Sequence, residues 1–131
     1  MSQPTSSAAI SIYKDLSTGC VLSVKVYISP AEEARFWQLF KPAYDAVIAE
    51  PDCRFFVVSK PTPQPEENVT CLSWVEGWSK PAQWLQDVQL HKPYYEPYLS
   101  ESEKMYLKPR VVELTSAMEG MCDFKLPQTS S

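Results

Sequence analysis

The stretch CVLSVKVYISPAE, residues 20 to 32, decides the fold, because its apolar period changes within one short run. From Cys20 to Ile28, Leu22, Val24, Val26 and Ile28 fall on one side and Val21, Ser23, Lys25 and Tyr27 on the other, which is the alternation of a β-strand. The SPAE that follows reads as a helix start. Ser29 is placed to cap, Pro30 sits at the first helical position, where a missing amide hydrogen costs nothing, and Glu32 can close a capping box on the Ser29 amide.

The helix that begins there extends to about Ala49. Phe36, Trp37, Phe40, Tyr44, Val47 and Ile48 recur at spacings of three and four and form one broad apolar face. Pro42 interrupts the run and predicts a kink, since it removes an amide donor and crowds the preceding turn. CRFFVVS, Cys53 to Ser59, is a second strand, apolar on both sides. A Pro-rich loop, KPTPQPEEN, separates it from a third, VTCLSWVEGW, Val69 to Trp78. Alternation there puts Thr70, Leu72, Trp74, Glu76 and Trp78 on one side.

Ser79 is a candidate cap for a second helix, from about Lys80 to His91, that would align Trp84, Val88 and His91 on one stripe. A further helical piece is broken at Pro93 and Pro97. PRVVELTSA, Pro109 to Ala117, is a fourth strand with a Pro at its start, as an edge strand allows. The order β-α-β-β-α-β is the split β-α-β, ferredoxin-like arrangement, an α+β fold with one antiparallel sheet and its helices on one face. The core spans about residues 20 to 117 of a single domain, which a chain of 131 residues fits. The other sheet face is also apolar, and an apolar face of that size predicts a homodimer packed sheet against sheet.

Composition excludes several classes of function. A net charge of −4 and a pI near 5.0 argue against nucleic acid and against anionic membrane surfaces as partners. Only 3 Gly, far apart, rule out a phosphate cradle, so no nucleotide cofactor is expected. The 4 Cys form no C-x-x-C pair and predict no metal site; they read as small buried hydrophobes in a reducing compartment. The first residues carry no basic and apolar leader pattern, and no run is long and apolar enough to span a membrane, so the expectation is a cytoplasmic protein.

The segment VEGWSKPAQWLQDVQLHKPYY, residues 75 to 95, together with the element order and the length, resembles the antibiotic biosynthesis monooxygenase-like family of the dimeric α+β barrel superfamily. Members show an acidic residue just before an aromatic at the end of the third strand, then a helix, then a His; Glu76, Trp78 and His91 occupy those places. The resemblance implies a small cofactor-independent enzyme of secondary metabolism acting on an aromatic or polyketide-like intermediate, by oxygenation or by base-promoted decarboxylation, cyclisation or isomerisation. Members that oxidise anthrones place an Asn four residues before that Trp and a Tyr six residues after it; Trp74 and Trp84 stand there instead. The Asn that haem-degrading members use has no counterpart either.

His91, the one histidine, is the candidate catalytic base, because its unperturbed pKa of about 6.5 lets it exchange a proton near neutrality. The competing role for it is to interact with the end of a helix. Trp37, Phe40, Tyr44, Trp74, Trp78, Trp84 and Tyr95 are the candidate substrate-binding residues, as the walls of a flat aromatic slot between sheet and helices; core packing is the plainer role for each. Glu76 is expected to pair with a strand cation. A barrel that binds a small apolar ligand without catalysis, or serves as a stress-related module, is the alternative.

Overall fold

The computed structural model describes Leu16 and residues 18–123. Four strands, β1 (Cys20–Ile28), β2 (Cys53–Ser59), β3 (Thr70–Trp78) and β4 (Val111–Ser116), form one antiparallel sheet in the order β2-β3-β1-β4. This is the ferredoxin-like order, with β1 and β3 central. The helices are α1 (Glu33–Ile48), α2 (Ala82–Asp87) and α3 (Tyr98–Glu103), with 3-10 turns at Pro30–Glu32, Gln89–His91 and Pro93–Tyr95.

Alternation in β1 and β3 is obeyed as the sequence requires. Cys20, Leu22, Val24, Val26 and Ile28 are buried under the helices, while Val21, Ser23, Lys25 and Tyr27 lie on the opposite face. The strand register then builds rows across the sheet. One row runs Val58, Trp74, Val24, Val112, and the next Phe56, Glu76, Leu22, Leu114. A carboxyl therefore stands in the middle of an otherwise apolar row.

α1 buries Phe36, Phe40, Ala43 and Val47, spaced as one helical stripe, against that face. The helix continues through Pro42, which is exposed, as is Gln38 one turn earlier. The carbonyl that loses its partner thus belongs to a water-facing residue, which keeps the cost of the Pro low. Phe40 is the hub of the core: its ring centroid is 4.8 Å from that of Trp74, 5.4 Å from Tyr98 and 5.6 Å from Phe36. Aromatic contact thereby ties α1, β3 and α3 together.

Three local expectations are corrected. The capping box does not form: Ser29 precedes the 3-10 turn with no side-chain cap, and only the backbone bond from the Glu32 amide to the Ser29 carbonyl is made. Ser79 does not cap a helix either, because its hydroxyl donates to Asp52 at 3.1 Å and its amide to the Asp52 carbonyl at 2.9 Å, joining the ends of β2 and β3. The second helix consequently starts at Ala82 and buries Leu85, with Gln89 buried one turn on, while Val88 and His91 face outward.

Two glycines permit close approach. A Cβ on Gly19 would lie 1.8 Å from the Trp78 carbonyl oxygen, whereas one on Gly77 would meet the Phe55 ring at 2.1 Å. Backbone at the paired ends of two central strands cannot yield as a ring can. Gly19→Ala is therefore expected to cost more than Gly77→Ala, the latter falling at about 1–3 kcal/mol, typical of overpacking; urea denaturation of both variants checks the order.

Candidate functional site

Between the helix face of the sheet and the segment 90–110 lies a pocket of about 160 Å³. Its floor is Leu22 and Val24 from β1, Trp74 and Glu76 from β3, and Val112 from β4. Leu90, Tyr95, Tyr98 and Leu99 form the walls, and Arg110 the remaining side. The walls stand where they do because Pro93 and Pro97 break the chain into short turns that fold over the sheet and turn the tyrosines inward.

Glu76 is 5% exposed. The indole Nε1 of Trp78 donates to its Oε1 at 2.9 Å, and the Trp74 side chain also favours the charged form. Among the described residues it makes no ion pair. Burial in apolar surroundings pushes its pKa up to about 7 although both tryptophans favour the charged form. This is a carboxyl that can both take and return a proton near neutral pH.

The phenols above it behave differently. Burial holds Tyr95 and Tyr98 well above the ordinary tyrosine range, so both stay protonated and can donate hydrogen bonds. Tyr95 is held from behind by Gln89, a fully buried amide whose Nε2 donates to Tyr95 at 2.9 Å and to Tyr94 at 2.6 Å. Tyr94 in turn donates to Glu50 at 2.6 Å, and Lys92 pairs with that carboxylate at 3.2 Å. A chain of polar contacts thus runs from the surface to the pocket wall and fixes the Tyr95 ring.

Of the residues expected to bind substrate, Trp74 and Tyr95 line this pocket. Trp78 is wholly buried beneath it and reaches it through Glu76, and Trp84 packs on Trp78 with ring centroids 6.1 Å apart. Trp37, Phe40 and Tyr44 line a separate open groove with Lys41 and Val58. His91 is exposed at the end of the second 3-10 turn and is not among the pocket's lining residues.

Glu76, Tyr98 and Arg110 are polar pocket residues outside the set of candidate site residues read from the sequence. For Glu76 the sequence carries a signal, since alternation sets it on the same side as Leu72, Trp74 and Trp78; the expected pairing with a strand cation is replaced by the Trp78 indole. Among the described residues no His, Cys, Asp and Glu group could hold a metal, and no helix is long and apolar enough to cross a membrane. Cys20 and Cys71 are buried and Cys53 half-buried, and all four described cysteines are free.

No protein-family profile matches the chain. It is 32% identical over 97 residues to GME11364 of Pestalotiopsis microspora, named as a candidate monooxygenase, across 74% of this chain and 78% of that one. Solved structures share its fold. A conserved protein from Methanosarcina mazei aligns with a TM-score of 0.67 at 13% identity, over 80% of this chain and 97% of its own. An antibiotic biosynthesis monooxygenase aligns at 0.63 and 14% identity, over 76% and 98%. SnoaB from Streptomyces nogalater, a cofactor-independent oxygenase, aligns at 0.57 and 13% identity, over 78% and 96%.

Proposed function

The chain belongs to the antibiotic biosynthesis monooxygenase-like family of dimeric α+β barrels, and from that footing we propose that it is a cofactor-independent enzyme whose Glu76 moves a proton on an aromatic or polyketide-like substrate of secondary metabolism. The observation that carries the reading is the buried Glu76 carboxyl on the floor of an apolar pocket, hydrogen-bonded by the Trp78 indole and, among the described residues, without an ion pair. The role of base passes to it from His91, which lies off the pocket.

The chemistry follows from the groups at hand. Ionised Glu76 takes a proton from a substrate C–H or phenolic O–H and leaves the electron pair on the substrate. The Tyr95 phenol donates to the oxygen on which that charge settles. Such an electron-rich intermediate can react with dioxygen, release carbon dioxide or close a ring. Protonated Glu76 then returns its proton to the product. The pocket volume is close to that of an apolar cavity, roughly 150 Å³, known to hold one benzene ring, so one ring fits inside while further rings extend through the mouth.

A homodimer through the open sheet face completes the reading. Val57 at 56% exposure and Val111 at 54% stand on that face beside Val21, Phe55 and Val75. Sedimentation at micromolar concentration should give the mass of two chains.

The direct test is the carboxyl ¹³C resonance of Glu76 followed with pH, with and without 2-naphthol. A midpoint near 7 that moves on adding the naphthol is the expected result. A midpoint in the ordinary carboxylate range, blind to the probe, would overturn the proton-transfer role and leave a barrel that binds apolar molecules without turning them over.

A further inference from the structure

Arg110 lies just before β4 and lines the same pocket as Glu76, from the solvent side. Among the described residues it has no ion pair and no hydrogen-bonded partner. Lys108, which lies beside it, is committed to Glu66. In a chain with an excess of acidic residues, a guanidinium left unpaired at the mouth of an apolar cavity is a charge waiting for a partner from outside.

We propose that the pocket selects an aromatic carboxylic acid, bound with its ring over Trp74, its carboxylate on Arg110 and its ionisable C–H or O–H toward Glu76. The planar fork of a guanidinium matches a carboxylate with two parallel hydrogen bonds, and no other unpaired donor of that geometry lines the cavity. Orientation is set by repulsion as well as attraction. With the ring reversed, the carboxylate would meet Glu76 in a buried apolar site, where two like charges cannot both be held. Once Glu76 is ionised, the favoured sense of entry therefore puts the acid on Arg110 and its far edge toward the base. The inference rests on the reading of Glu76 and its pocket given above.

Calorimetric titration with 2-naphthoate and with the neutral, equally shaped 2-naphthamide tests it, on the wild type, Arg110→Gln and Arg110→Lys. In the wild type naphthoate should bind about tenfold more tightly than naphthamide, as a charge-assisted pair of hydrogen bonds supports. Arg110→Gln should abolish that preference and leave naphthamide affinity within about twofold. Arg110→Lys should keep part of it, since the charge remains without the fork. Arg110 is exposed, so these variants should fold normally, and an unchanged melting temperature confirms that. Equal binding of both probes by the wild type, or a preference that survives Arg110→Gln, overturns the assignment of acids while leaving the pocket standing. Failure of both probes to bind overturns the pocket and this inference together.

Discussion

Glu76→Gln should make the protein more stable above neutral pH and remove its proton transfer. Glu76 binds its proton more tightly when folded than when unfolded, because the folded pKa is raised from 4.5 to about 7. Between those values the native state holds more protons than the unfolded chain, so stability falls as pH rises through the window. At 1.36 kcal/mol per pH unit the full loss is roughly 3 kcal/mol, all of it incurred by about pH 8. Gln keeps the shape and removes the charge, though it places two amide hydrogens in a largely apolar pocket. The expected net gain at pH 8 is about 1–2 kcal/mol, with little change at pH 5. Glu33 and Glu50, whose pKa values are lowered by their hydrogen bonds, act in the opposite sense and below this window. Thermal melts of both proteins from pH 5 to 8 should therefore diverge upward. Turnover in the variant should fall by about 10²–10⁴, the contribution of a positioned base. A variant that melts lower at every pH, or that retains full turnover, would remove Glu76 from the mechanism.

Trp78→Ala should be the most damaging single change to the fold. Trp78 is wholly buried, and truncating such a ring costs about 3–5 kcal/mol. Domains of this kind have only about 5–15 kcal/mol in total, so the variant should melt far lower or fail to fold. Trp78→Phe separates the two roles of the residue. It keeps most of the ring and deletes the Nε1 donor that favours the Glu76 carboxylate. Losing that donor should push the Glu76 pKa still higher. The pH profile of turnover should shift to the alkaline side with its maximum largely retained, whereas a merely structural Trp78 would leave the profile in place.

Much of this architecture was written in the local pattern. β1 and β2 begin and end where their alternation does, and β3 and β4 differ from their readings by a residue or two. Strand alternation is robust because a shift of one residue would turn every apolar side chain to water. Helix phase is not protected in that way around Trp84. The segment 80–91 carries apolar residues on two faces, so Trp84 and Val88 could be aligned as easily as Leu85 with Gln89. Ser79 cannot serve as a cap for a helix from Lys80, because its hydroxyl is taken by Asp52, a residue 27 positions away, and the helix starts later, at Ala82, with Leu85 buried. Local sequence holds no trace of that contact. His91 lies exposed at the end of that segment, a position that its competing helix-end role also fits. Glu76 stood on the right row but was assigned to a cross-strand cation, because nothing in sequence tells which ring nitrogens will reach a carboxylate first.

The bond from Trp78 to Glu76 also makes the molecule its own indicator. An indole's emission responds to charge near its ring nitrogen, and here the charge is set by the group proposed to do the chemistry. Ionisation of Glu76 should thereby alter the Trp78 share of the emission from the chain's 4 tryptophans, so that a variant keeping Trp78 alone would report whether that carboxyl is loaded, free or covered by a ligand.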